Sequence, residues 1–135
     1  MADLKVMKML DRNAHLMIVR DDAIGSIIIG AMAEDLGWVV AGAFSTLAEG
    51  LEHARRDDLD FALLDFRLGA GEDVMPIVEV LTKRGIPFAF TPEAASEHIH
   101  AVLPAAVIMN RPVTESELGR TLPPPRHSGA LSAAS

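Results

Sequence analysis

Short apolar runs of four to six residues alternate along this chain with longer segments of helical period, and that alternation restricts it to βα units wrapped around a parallel sheet. Buried parallel strands read as continuous hydrophobic stretches because helices cover both of their faces. Five such units are expected. The first strand is Leu16 to Val19, followed by a helix from Ala23 to Leu36 with Ile24, Ile27, Ile28, Ala31 and Met32 as its inward stripe and Gly37 as its stop. In the same helix Ile29 is expected to be partly exposed. The second strand is Val39 to Phe44, and Ser45 or Thr46 caps a helix through Arg56 whose Leu47, Leu51 and Ala54 share one stripe. The third strand runs from Phe61 to Asp65. A glycine-bearing loop leads to a helix from Asp73 to Arg84, with Val74, Ile77, Val78 and Leu81 inward and Gly85 closing it. Pro87 to Thr91 is the fourth strand, Ser96 to Leu103 a short proline-bounded helix, and Ala106 to Asn110 the fifth strand. A last helix starts at Thr114, with Glu117 three residues on as in a capping box.

These units occupy residues 14–122 as one domain, a size at which about two-thirds of the unfolded surface can be buried. Residues 1–13 read as a frayed extension in which Leu4, Met7 and Leu10 offer a short helical stripe. Pro123 to Ser135, with its prolines and small polar residues, reads as a disordered tail. The formal charge of −7 argues against nucleic acid as partner, since such binding rests on clustered cations. There is no cysteine for a disulfide or a thiolate metal site. No apolar stretch approaches a membrane span, and Asp3, Lys5, Lys8 and Asp11 break up any signal-like start. A cytoplasmic location is expected.

Chemistry concentrates at the carboxyl ends of the strands. Asp65 ends the run Phe61-Ala62-Leu63-Leu64 and points toward the crevice where open α/β sheets take ligands. Asp21 and Asp22 follow the first strand, so two strand ends can bring carboxylates together, as a Mg²⁺ and phosphoryl site requires. Other groups are poorer candidates. His98 and His100 face different sides of a helix, while His15 and His53 lack companions in sequence. Gly25, Gly30, Gly69 and Gly71 compose no nucleotide-binding fingerprint. A flavin carrier would need ring-stacking aromatics, but Trp38 is the single Trp and there is no Tyr.

Acids after strand one, Asp65 ending strand three, Thr91 ending strand four and Arg111-Pro112 after strand five together resemble the receiver domain of two-component response regulators, over about residues 15–122. The resemblance implies a flavodoxin-like, doubly wound sheet of five parallel strands in the order 2-1-3-4-5. It implies a histidine kinase or phosphotransfer protein that donates a phosphoryl group to Asp65, with Thr91 and Arg111 binding the phosphoryl oxygens. It also implies Mg²⁺ held by Asp21, Asp65 and the backbone carbonyl of Arg67, with Asp22 assisting through water. Three departures stand out. Arg20 replaces the first acid of the usual pair, Arg111 replaces a lysine, and Ile108 falls where many relatives carry an aromatic switch. The segment Phe88-Ala89-Phe90-Thr91 matches part of a subgroup motif, but Pro92-Glu93 replaces the Gly-Tyr that follows it there.

Arg20 has two possible placements: out in solvent, where it only weakens metal binding, or paired with Asp65 or Asp21, where it holds the pocket metal-free. The expected function is a stand-alone receiver, not a metabolic enzyme, catalysing at most its own phosphorylation and dephosphorylation. It would signal to a downstream protein target and could dimerise through helix four, strand five and helix five. The alternative is a phosphorylation-independent pseudo-receiver, the same fold used as an interaction module.

Overall fold

A computed structural model describes residues 14–92 and 97–123 of the chain; the readings made for 1–13, 93–96 and 124–135 lie outside the described residues. Strands β1 (His15–Val19), β2 (Val39–Phe44), β3 (Phe61–Leu64) and β4 (Phe88–Phe90) form one sheet, all neighbours parallel, in the order β2-β1-β3-β4. Helices α1 (Ala23–Asp35), α2 (Leu47–Arg56), α3 (Met75–Arg84), α4 (Glu97–Val102) and α5 (Glu115–Thr121) complete the βα alternation. This is the flavodoxin-like arrangement expected from the sequence.

The expected fifth strand is present in its place but is shorter than the residues expected for it. Ala106 to Asn110 contributes a single parallel bridge, Ile108 to Phe90, with the Phe90 N–H donating to the Val107 carbonyl at 2.9 Å and the Met109 N–H to the Phe90 carbonyl at 2.8 Å. Pro87 and Pro92 flank β4 and hold it to three residues, because proline has no N–H for a ladder. The segment takes the fifth position, beside β4, through this one bridge.

Side chains alternate across the pleat and divide the core in two. Met17, Val19, Ala62 and Leu64 face a cluster with Ala54, Ile77, Val78 and Leu81 from α2 and α3. Leu16, Ile18, Phe61 and Leu63 face the other, with Ile29 and Ala33 of α1 and Leu118 of α5. The caps agree with the sequence: Thr46 accepts from the Glu49 N–H at 3.2 Å, Thr114 accepts from the Glu117 N–H at 3.1 Å, and Gly85 closes α3 at a left-handed φ of 71°. Helix α3 starts at Met75, not Asp73, since Asp73 pairs with Arg67 in an isolated bridge and its carboxylate accepts from the Met75 N–H at 3.0 Å.

Helix α1 is rotated from the expected orientation. Ile24 is 71 % exposed, Ile27 72 % and Ile28 54 %, whereas Ile29 is 2 % exposed. Ala31 is exposed too, and of the expected stripe Met32 alone is half-buried against the core. The inward stripe is instead Ser26, Ile29, Gly30 and Ala33, at i, i+3, i+4 and i+7. Small residues on that stripe let the helix approach the sheet: a Cβ on Gly30 would stand 3.5 Å from the Val40 methyl.

Candidate functional site

The backbone ladder continues one residue past three strands and so fixes the site. The Arg20 N–H donates to the Phe44 carbonyl at 2.9 Å, the Asp65 N–H to the Val19 carbonyl at 2.8 Å and the Thr91 N–H to the Leu64 carbonyl at 2.8 Å. Arg20, Asp65 and Thr91 therefore stand side by side at the carboxyl edges of β1, β3 and β4. Arg111 approaches from the segment beyond the fifth-strand bridge, next to a cis peptide bond to Pro112.

Their side chains form a chain of polar contacts across that edge. Arg20 Nη1 donates to Thr91 Oγ1 at 3.0 Å, and the Thr91 hydroxyl donates to Asp65 Oδ1 at 3.4 Å. Arg111 Nη2 donates to the same Asp65 oxygen at 2.8 Å, while Arg111 Nε donates to the Thr91 carbonyl at 3.2 Å. The other carboxylate oxygen of Asp65 accepts from the Asp21 N–H at 3.4 Å. Asp22 lies between the two guanidinium groups, 3.8 Å from Arg20 Nη2 and 4.0 Å from Arg111 Nη1. Arg20, Asp65 and Thr91 are all buried, Arg20 to 3 % exposure and Asp65 to 2 %. Burial pushes the Asp65 carboxyl above its ordinary value of 3.8, and the positive charges of Arg20 and Arg111, with the hydrogen bonds from the Arg111 side chain and the Asp21 N–H, pull part of that rise back.

The Arg20 side chain turns inward and not out to solvent, but it bonds Thr91 and pairs with Asp22, where the inward placement expected Asp65 or Asp21. Asp65, Thr91 and Arg111 are brought together. Asp21 reaches Asp65 through its backbone, and its carboxylate lies beside the loop, 3.1 Å from where a Cβ on Gly69 would stand. Asp22 is the N-cap residue of α1 but makes no side-chain cap bond, and its carboxylate faces the arginines. Arg67 lies two residues beyond Asp65, in the bridge with Asp73. Two cavities open on either side of α1 next to the site. One, of about 460 Å³, runs between α1 and β2 with Arg20, Ile27 and Phe44 in its wall, and the other, of about 400 Å³, is lined by Arg20, Ile28 and Arg111.

The receiver resemblance implies Mg²⁺, and the donor set can be tested against it. Mg²⁺ demands near-octahedral oxygen at close range and retains waters, so it needs accessible carboxylates. Here the Asp65 carboxylate is engaged by Arg111, Thr91 and the Asp21 N–H, and two guanidinium charges already face it. Among the described residues no group of three or more His, Cys, Asp or Glu side chains is arranged to hold a metal ion. In this arrangement the residues do not fit Mg²⁺.

The parallel α/β unit, with an acid at the edge of its third strand, a hydroxyl at the edge of its fourth and a cation before proline beyond, is the arrangement implied by the resemblance to receiver domains. No family model matches the sequence, and no curated protein matches it. Solved structures do. The solution structure of SdrG from Sphingomonas melonis Fr1 superposes with a TM-score of 0.74 at 25 % identity, over 81 % of this chain and 92 % of that one. The PhyR response regulator REC domain of Erythrobacter litoralis gives 0.67 at 21 % identity, over 87 % and 89 %. The signal receiver domain of a modulated diguanylate cyclase from Desulfovibrio desulfuricans G20 gives 0.70 at 23 %, over 82 % and 90 %. The chain is thus similar in fold to response regulator receiver domains, with departures at its site. No helix among the described residues is long and apolar enough to cross a membrane.

Proposed function

We propose that this receiver domain acts as a protein-interaction module whose Asp65 is held by arginines and takes no phosphoryl group. The observation that carries this reading is the buried Asp65 carboxylate, 2 % exposed and gripped by Arg111 at 2.8 Å with Arg20 alongside. In-line phosphoryl transfer needs an open carboxylate oxygen and charge neutralisation that arrives with the phosphoryl group. Both are already committed here. The contact surfaces that support the module are the exposed isoleucines of α1 and, beside α4 and the fifth-strand bridge, exposed Val102 and Val107. The second of these is the face through which a homodimer would form.

One observation favours a second reading, in which a histidine kinase or phosphotransfer protein phosphorylates Asp65. Thr91 Oγ1 and Arg111 Nη2 converge on the same Asp65 oxygen, as groups that cradle a transferred phosphoryl would. That reading requires the arginines to release the carboxylate. Incubation with acetyl phosphate and Mg²⁺, followed by intact mass measurement of the wild type and Asp65→Asn, separates the two. The interaction module predicts no adduct on either protein. A phosphoryl adduct on the wild type, absent from the variant, would overturn it.

A further inference from the structure

We infer that Arg20 is the resident cation of this site: its guanidinium takes the electrostatic place of a divalent metal and bars such a metal from the Asp21 and Asp65 edge. The inference rests on the arginine-held reading of the pocket and deepens it by naming the residue responsible.

Geometry is the first support. Arg20 belongs to the edge of β1 and bonds Thr91 at the edge of β4, so its side chain crosses over β3, whose edge bears Asp65. With its backbone N–H tied to Phe44 and its side chain 3 % exposed, it spans the site instead of reaching for solvent. A second feature is the space built for it. A Cβ on Gly25, in the first turn of α1, would stand 2.8 Å from Arg20 Nη2 and 2.5 Å from Asp22 Oδ2. The missing side chain at Gly25 is the cradle in which the guanidinium and its counter-ion meet.

Charge arithmetic decides the exclusion. Arg20 and Arg111 face Asp65 and Asp22, two positive charges against two negative, so the cluster is balanced without a metal. Asp21 at the loop adds one negative charge. A dication entering would then set four positive charges against three, inside a pocket where opposite-sign partners are already satisfied. Replacing Arg20 with glutamate changes the count by two: one positive charge would face four negative, and a dication would relieve the repulsion. A guanidinium is never neutral, so the resident cation neither titrates nor dissociates.

The test titrates Mn²⁺, as a probe metal, into the full chain and follows free Mn²⁺ by electron paramagnetic resonance. The wild type is expected to show no saturable site. Arg20→Glu is expected to bind one Mn²⁺ at least tenfold more tightly than the wild type, and R20E/D65N to lose that site. Arg20→Gln, which removes the charge while keeping a donor for Thr91, serves if the glutamate variant does not fold and should bind more tightly than the wild type. Saturable binding by the wild type that is abolished in Asp65→Asn would overturn the inference, as would a folded Arg20→Glu that binds no better than the wild type. Failure here is distinct from failure of the functional reading. Wild-type metal binding without an acetyl phosphate adduct rejects the resident cation but leaves the interaction module, and an adduct without a metal site does the reverse.

Discussion

Removing Arg111 should destabilise the fold in a pH-dependent way. In Arg111→Ala, Asp65 loses the 2.8 Å bond from Nη2 and the Thr91 carbonyl loses the 3.2 Å bond from Nε. A hydrogen bond to a charged group contributes about 1.5–3 kcal/mol and a neutral one about 1 kcal/mol. The Arg111 side chain is 25 % exposed, so solvent screens part of the first, and the expected net loss near pH 7 is about 2–3 kcal/mol. With a urea m-value of about 2 kcal/mol/M, the midpoint falls by roughly 1 M. Trp38, 3 % exposed at the amino end of β2 and so at the opposite end of the sheet from Asp65, reports this unfolding by its fluorescence. The sign with pH follows from the positive charge that Arg111 places beside Asp65. Without it the Asp65 carboxyl is raised further, so the folded variant takes up a proton at a higher pH than the wild type does. The deficit is therefore largest at neutral pH and shrinks on acidification toward the ordinary carboxylate range. Arg111→Lys keeps the charge but not the fork, and should lose about 1 kcal/mol. A variant Arg111→Ala with the wild-type midpoint at pH 7, or with a deficit that does not change with pH, would refute this account of the Asp65 grip.

Three further outcomes are expected. Because burial raises the Asp65 carboxyl above 3.8, its contribution is fully present below that value and lost as pH rises through the folded value; the stability of the wild type relative to Asp65→Asn should therefore increase as pH falls from 7 to 4, and a decrease in urea titrations would contradict it. Ile29→Ala should cost about 2–4 kcal/mol and Ile27→Ala less than about 0.5 kcal/mol, and the reverse order in thermal unfolding would reject the orientation of α1. In Gly50→Ala the new methyl would stand 2.8 Å from Ile77 Cδ1 and 3.2 Å from a Val19 methyl, both fully buried. An overpacking cost of about 1–3 kcal/mol then outweighs the helix-propensity gain of about 1 kcal/mol, so a calorimetric rise in Tm would show that the core yields there.

Strand identity was legible wherever an apolar run was closed by a turn signal, because burial on both faces leaves no other reading for Leu16 to Val19 or Phe61 to Leu64. The caps at Thr46, Gly85 and Thr114 were legible because each answers a local hydrogen-bonding or backbone need. The face of α1 was not. Its sequence is apolar on nearly every side, so period alone does not choose the buried stripe; the close approach of Gly30 and Ala33 to the sheet does, and that is a tertiary fact. The shortness of the fifth strand was not legible either: its residues pair with β4 through one bridge. At the site, the juxtaposition of Asp65, Thr91 and Arg111 followed from topology, since all stand at or beyond strand ends on one edge. The direction of the Arg20 side chain did not, because it depends on the space left by Gly25 and on the position of Thr91 across the sheet.

An arginine in this pocket differs from a metal in more than charge. A ligand shifts a conformational equilibrium only by its differential affinity for the two states, and it can do so because it comes and goes. A guanidinium attached to β1 has no free form, so its positive charge stays in the pocket at all times. Arg20 fixes the Thr91 hydroxyl while Arg111 fixes the Thr91 carbonyl, so the end of β4 and the segment after the fifth-strand bridge are tied to the same residue from both sides. In the proposed interaction module that tie is permanent, and the surface beyond it, with Val102 and Val107, presents a single arrangement to a partner. On that reading, regulation would come from partner concentration or competition at the exposed faces.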